Sequence, residues 1–230
     1  MLNNHTRSRI GLEDGDADSE RTRAKRFTQA LSIANIVQDL QSAPETAALP
    51  LFVIGDYNAY QFTDGYADVV GLIAGTYVND ENSCAPTGGI TDCKLPGGQN
   101  IVDPPLINAV LLLDESEQYS YKYTEDFGAI QGSNGRDLPV NQVLDHALFN
   151  EAARPHVSGM AYGRANVDAS IQRFDKCNYR NRDLDICPQG PDANPPAPWQ
   201  PVGASDHDGL VIYVSPPRPE AIFADGFEDD

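Results

Sequence analysis

The chain has 230 residues, of which 40% are hydrophobic and 22% charged, and its formal net charge is −18. That length fits one domain, or one domain with tails, and the apolar share is enough to bury a core rather than leave a disordered polyelectrolyte. No apolar run is long enough to cross a membrane, and the acidity would repel a polyanion at long range, so action on phosphates needs local positive charge, with a bound divalent cation as the obvious source.

Residues 1–18 open with NNHTRSR and continue into an acidic, Gly-containing loop. Ser19 is placed to cap a helix running to about residue 41, in which Phe27, Ala30, Leu31, Ala34 and Val37 form an apolar stripe at helical spacing. Arg21, Arg23, Lys25 and Arg26 crowd its first two turns. A solvated face is expected there, with a phosphate-facing patch as the alternative. Residues 43–50 read as a linker. Residues 51–55 (LFVIG) are a short apolar run ended by glycine and read as a buried central strand, with DYNAY at its C-terminal end. Residues 64–74 carry Val69, Val70, Leu72 and Ile73 and read as a short helix.

Residues 79–105 form a long polar insertion. The four cysteines fall in two close pairs, Cys84/Cys93 and Cys177/Cys187, both in polar loops and neither at zinc-finger spacing. Two local disulfides in an oxidising compartment are expected, with free thiols the alternative, and pairing by proximity is one of three connectivities. Residues 106–113 fit helix or strand. Residues 119–123 alternate as a strand does. Residues 126–141 read as a Gly/Asn-rich loop, 143–150 (VLDHALFN) as a strand with embedded polar groups, and 151–200 as irregular. Residues 205–214 read as a loop entering a final strand, and an acidic tail follows.

Four places carry chemistry: His5, the GDYNAY turn, the LDH triplet at 144–146, and the SDHD turn at 205–208. Each alone is weak, because Asp and Asn favour turns for local reasons. All four sit where strands meet loops, so folding can converge them. Carboxylates, an amide and imidazoles suit hydrolysis assisted by a hard metal. The chain has no nucleophile elbow, P-loop or dinucleotide glycine fingerprint.

NNH (3–5), GDYN (55–58), LDH (144–146) and SDH (205–207), in that order, resemble the signature of the endonuclease/exonuclease/phosphatase superfamily, the DNase I-like fold. NNHTRS, the Arg-rich helix, GDYNAY, LDHAL and SDHD are most similar to its secreted bacterial nuclease branch. The resemblance implies an α/β fold: the C-terminal part of a four-layer α/β sandwich, two mixed β-sheets flanked by helices, with N-terminal strands missing. Residues 1–215 would form this partial domain and 216–230 the tail. In the family, a metal-binding Glu precedes the N-H segment; Glu13 and Glu20 follow His5 and do not match it. The opening residues also lack the apolar core of a signal peptide, so the expectation is a secreted or periplasmic protein whose N-terminus is missing.

The roles implied by resemblance are specific. His5, Asp56, Asn58, Asp145 and His207 would be catalytic. Asp56 would orient or deprotonate the attacking water, and Asn58 and Arg7 would contact the substrate. Asp145 would fix the tautomer of His207, which would act as general base or charge stabiliser. Asp206 and Asp56 would hold Mg²⁺ or Mn²⁺, with Ca²⁺ admissible as a structural ion. His5 would touch the phosphate or protonate the leaving oxygen. The implied function is metal-dependent phosphodiester hydrolysis by a monomer on a transiently bound nucleic acid. The alternatives are hydrolysis of small or lipid phosphoesters and a non-catalytic secreted binding module.

Overall fold

The computed structural model describes residues 1–13, 16–84, 93–123, 130–131, 137–138, 140–164, 167 and 207–215. The chain is built on a mixed four-stranded sheet. β2 (Phe52–Asp56) runs parallel to β1 (Leu2–His5) and antiparallel to β8 (Asp145–Phe149). β3 (Ile107–Asn108) is a two-residue edge beyond β8, which gives the order β1-β2-β8-β3. Alternation along β2 and β8 splits the apolar side chains between two faces. Val53 and Leu148 join one core with Phe27, Ala30, Ala34 and Val37 of α1 (Ala17–Ser42) and the whole apolar run of α2 (Val69–Ala74). Phe52, Ile54, Ala147 and Phe149 join a second core with Met160 and Tyr162 of β9 (Val157–Gly163) and Leu210 and Ile212 of β10 (Gly209–Val214). β9 and β10 pair antiparallel as a second sheet, so the central sheet carries helices on one face and a β-ribbon on the other. β4 (Tyr121–Tyr123) pairs with β7 (Val140–Gln142), and β5 (Ile130–Gln131) with β6 (Asp137–Leu138). Among the described residues, no helix is long and apolar enough to cross a membrane.

Several elements differ from the sequence expectation. The cap of α1 is Asp16, not Ser19: the Asp16 carboxylate accepts from the Ser19 N–H at 2.8 Å, and the Ser19 hydroxyl accepts from the Asp16 N–H at 3.0 Å. This reciprocal pair satisfies two otherwise orphaned donors. The apolar stripe of α1 packs as its spacing implies, but the arginine cluster is not simply a solvated face. Arg21 and Lys25 are exposed, whereas Arg23 and Arg26 are only 3% and 1% exposed. The loops leaving β1 and β2 fold over this end of α1 and turn carbonyls toward it. Arg23 donates to the Leu12 carbonyl, and Arg26 donates to the carbonyls of Arg7 (2.6 Å) and Asn58 (2.8 Å). Burial pulls the Arg26 pKa down to about 10, which still leaves it charged at neutral pH.

α2 starts only at Val69, because Asp68 caps it by accepting from the Gly71 N–H, and residues 64–68 form the approach loop. Residues 106–113 are neither simple helix nor simple strand: β3 is followed by a 3₁₀ turn over Ala109–Leu112. Part of 126–141 forms β5, β6 and β7 rather than a loop. β9 is a seven-residue strand within the segment expected to be irregular. Gly159 and Gly163 dilute its local strand signal, and its ladder with β10 supplies what propensity does not. Cys84 and Cys93 form a disulfide inside the helix-side core, with Cα atoms 5.2 Å apart. Cys177 and Cys187, and the acidic tail, lie outside the described residues.

Candidate metal and acid–base site

Strand register creates the site. β1 pairs His5 with Asp56, and β8 pairs Asp145 with Asp56, so the three residues form one cross-strand row. The row lies on the face opposite the helices, in phase with Ile54 and Ala147. At the next pair the Tyr57 N–H donates to the Leu144 carbonyl at 2.8 Å, so Asp56 and Asp145 form a non-hydrogen-bonded pair. That is the register in which facing residues approach most closely, with Cα atoms ~4.5 Å apart. Gly55 permits the approach of β1. Its φ is +142°, and a Cβ there would stand 1.9 Å from the Asn4 carbonyl oxygen. No other residue type fits this position.

His5 places Nε2 3.3 Å from the Asp56 carboxylate while its side chain stays 74% exposed. His207 arrives from the far end of the chain through an isolated bridge with Tyr121, just before β10. Its Nδ1 lies 2.6 Å from the Asp145 carboxylate. Asn58 occupies the left-handed region at φ 46°. Its N–H donates to one Asp56 oxygen at 2.7 Å, and its side-chain amide donates to the other at 3.0 Å and to the Thr6 carbonyl at 3.1 Å. Asn58 therefore holds Asp56 and the β1 loop together. Burial raises the Asp56 pKa above the ordinary carboxylate value, offset in part by the Asn58 N–H and the imidazoles of His207 and His5, while neighbouring Asp145 pushes it further up.

Two supports lie inside the LDH and SDHD motifs, which gave them no individual role. His146 follows Asp145 and so points to the opposite, helix-side face. It is fully buried, with Nε2 donating to the Ala59 carbonyl at 2.8 Å, Nδ1 accepting from the Asn108 amide at 3.2 Å, and its ring edge-on to Tyr57. Burial pulls its pKa down to about 4, so it is a neutral brace for the loop after Asn58. Strand alternation within VLDHALFN was the available signal. Asp208 is the second. Its buried carboxylate accepts from Arg164 at 3.1 Å and from the Val167 N–H at 3.0 Å, while its own N–H donates to the Ser120 carbonyl at 2.8 Å. These bonds anchor the backbone directly after His207.

Asp56, Asp145 and His207 offer ligand atoms that all lie within 4.8 Å of one another. Two carboxylates facing each other at partial burial, one with a raised pKa, are a repulsion that a cation would relieve. The oxygen-rich set suits a hard ion such as Mg²⁺ or Mn²⁺. Asp206 lies outside the described residues. Arg7 is exposed on the loop after β1, where its N–H donates to Gln29 and its carbonyl accepts from Arg26. The structure thus gathers His5, Asp56, Asn58, Asp145 and His207 from separate segments of chain. In comparisons with known proteins, no family model, no curated protein and no solved structure matches this chain.

Proposed function

We propose that the protein is a metal-dependent phosphodiester hydrolase acting on DNA or RNA, on a DNase I-like α/β sandwich. The observation that carries this reading is the row His5–Asp56–Asp145 with His207 bonded to its last member. The Asp145 carboxylate accepts from His207 Nδ1–H, which leaves the lone pair on Nε2, the atom able to take a proton from an attacking water. Asp145 then stabilises the imidazolium that forms. Asn58 keeps Asp56 oriented, and exposed His5 is placed to meet the substrate phosphate or return a proton to the leaving oxygen. Asp56 and Asp145, with His207 beside them, would hold a divalent cation, which when bound neutralises phosphoryl charge and acidifies water. The Cys84–Cys93 disulfide supports a secreted or periplasmic setting.

The test is nicking of supercoiled plasmid by purified protein with Mg²⁺ or Mn²⁺, against EDTA and against Asp145→Asn and His207→Ala. Each variant should lose about 10²–10⁴-fold in rate, the usual share of general acid–base catalysis. No metal-dependent nicking by the wild-type chain would sink the nuclease reading. The net charge of −18 favours a second reading, hydrolysis of small or lipid phosphoesters. Salt separates the two: nucleic-acid cleavage should weaken steeply as salt rises, whereas small-substrate turnover should change little.

A further inference from the structure

The strand beside Asp145 ends too early. β3 pairs with β8 only at Phe149 and Leu148, so among the described residues the edge of β8 at Asp145 has no strand neighbour on that side. The backbone N–H and C=O of Asp145 point toward this open edge, because its pairing with Asp56 is of the non-hydrogen-bonded kind. Both groups are nevertheless satisfied. The Ser120 hydroxyl oxygen accepts from the N–H groups of Leu144 (3.0 Å) and Asp145 (3.1 Å), and the Tyr162 hydroxyl donates to the Asp145 carbonyl at 2.5 Å. Ser120 is fully buried and Tyr162 nearly so. Ser120 also grips the other half of the pair, since its carbonyl accepts from the Asp208 N–H immediately after His207.

We propose that Ser120 and Tyr162 are positioning residues: their hydroxyls replace the missing strand neighbour of Asp145 and hold its carboxylate against His207. The inference deepens the reading above and rests on the same Asp145–His207 pair. One side chain fixes Asp145 from the segment before β4, the other from β9, and both are buried.

The decisive variant is Tyr162→Phe, which deletes a single oxygen and keeps the buried ring. Ser120→Ala and the double variant complete the set. The primary readout is the imidazole nitrogen pattern of His207 in a long-range ¹H–¹⁵N spectrum of the metal-free protein, which reports the tautomer without any need for activity. Wild type should show the Nδ1–H form alone. Tyr162→Phe should admit the Nε2–H form, and the double variant should make it dominant. Plasmid cleavage should fall on the order of tenfold or more in kcat with KM within about twofold, as displacement of a catalytic group does. Val37→Ala, in the helix-side core, is the control: it should lower Tm and leave the His207 pattern intact. An unchanged pattern in Tyr162→Phe and in the double variant would overturn the proposal. A shifted pattern in a wild-type background that cleaves no phosphodiester would uphold the positioning role and remove the hydrolase reading instead.

Discussion

On the helix side of the sheet His146 is buried and Asp68 half-buried, and their titrations oppose each other. Burial raises Asp68 to about 6, with Asp64 and Glu81 adding repulsion. Its folded state therefore binds a proton more tightly than the unfolded chain, so stability present below the unfolded pKa is lost as pH rises through 6. His146 behaves in the reverse way. With a folded pKa of about 4, it contributes stability that is complete above its unfolded value and lost as pH falls toward 4. Each effect is bounded by about 3 kcal/mol, because displacing a pKa by one unit corresponds to ~1.4 kcal/mol. Asp68→Asn keeps an oxygen for the Gly71 N–H and removes only the carboxylate cost. The variant should be more stable than wild type at pH 7, and its stability should fall monotonically as the pH is lowered from neutrality through the His146 value of about 4. Urea titrations across that range check both; a variant weaker than wild type at pH 7 would mean the cap needs the charge. Neither residue was legible as a titrating group, since burial is a property of the fold.

At the scale of elements, the disulfide belongs to the helix-side core while the His5–Asp56–Asp145 row belongs to the other face. Cys84 and Cys93 close a short loop, with a sequence separation of 9. Loop-closure entropy of that size is worth about 2–3 kcal/mol. Cys84→Ala with Cys93→Ala should lower Tm accordingly and leave kcat near wild type; a comparable loss of kcat would show that the insertion reaches the site. The elements that were legible in the sequence were those with a strong local pattern: the α1 stripe, the LFVIG strand and the VLDHALFN strand. β9 was not, because two glycines interrupt it and its stability comes from pairing with β10. The burial of Arg23 and Arg26 was equally hidden, since a charged helix face reads as solvated until loops from β1 and β2 present carbonyls to it.

For the whole molecule, a net charge of −18 and a row with two facing carboxylates make a cation the expected ligand. A ligand that binds only the folded state at about 100 times its Kd stabilises by about 2.7 kcal/mol. For a domain of this size that corresponds to a Tm rise of ~5–10 °C. Scanning calorimetry with Mn²⁺ should show the rise, EDTA should reverse it, and Asp56→Asn should abolish it; a Tm indifferent to Mn²⁺ would remove the metal from the account. By itself the sequence determined the chemical inventory of the site, because Asp56, Asn58, Asp145 and His207 lie in short motifs at strand ends, and it determined which apolar runs become the central strands. Tertiary structure alone decided that Asp56 faces Asp145, that His207 reaches Asp145 from 62 residues away, and that Ser120 supports it from 25 residues away. Those relations follow from strand register and chain return, which depend on how distant segments pair, and no local pattern of residues encodes them.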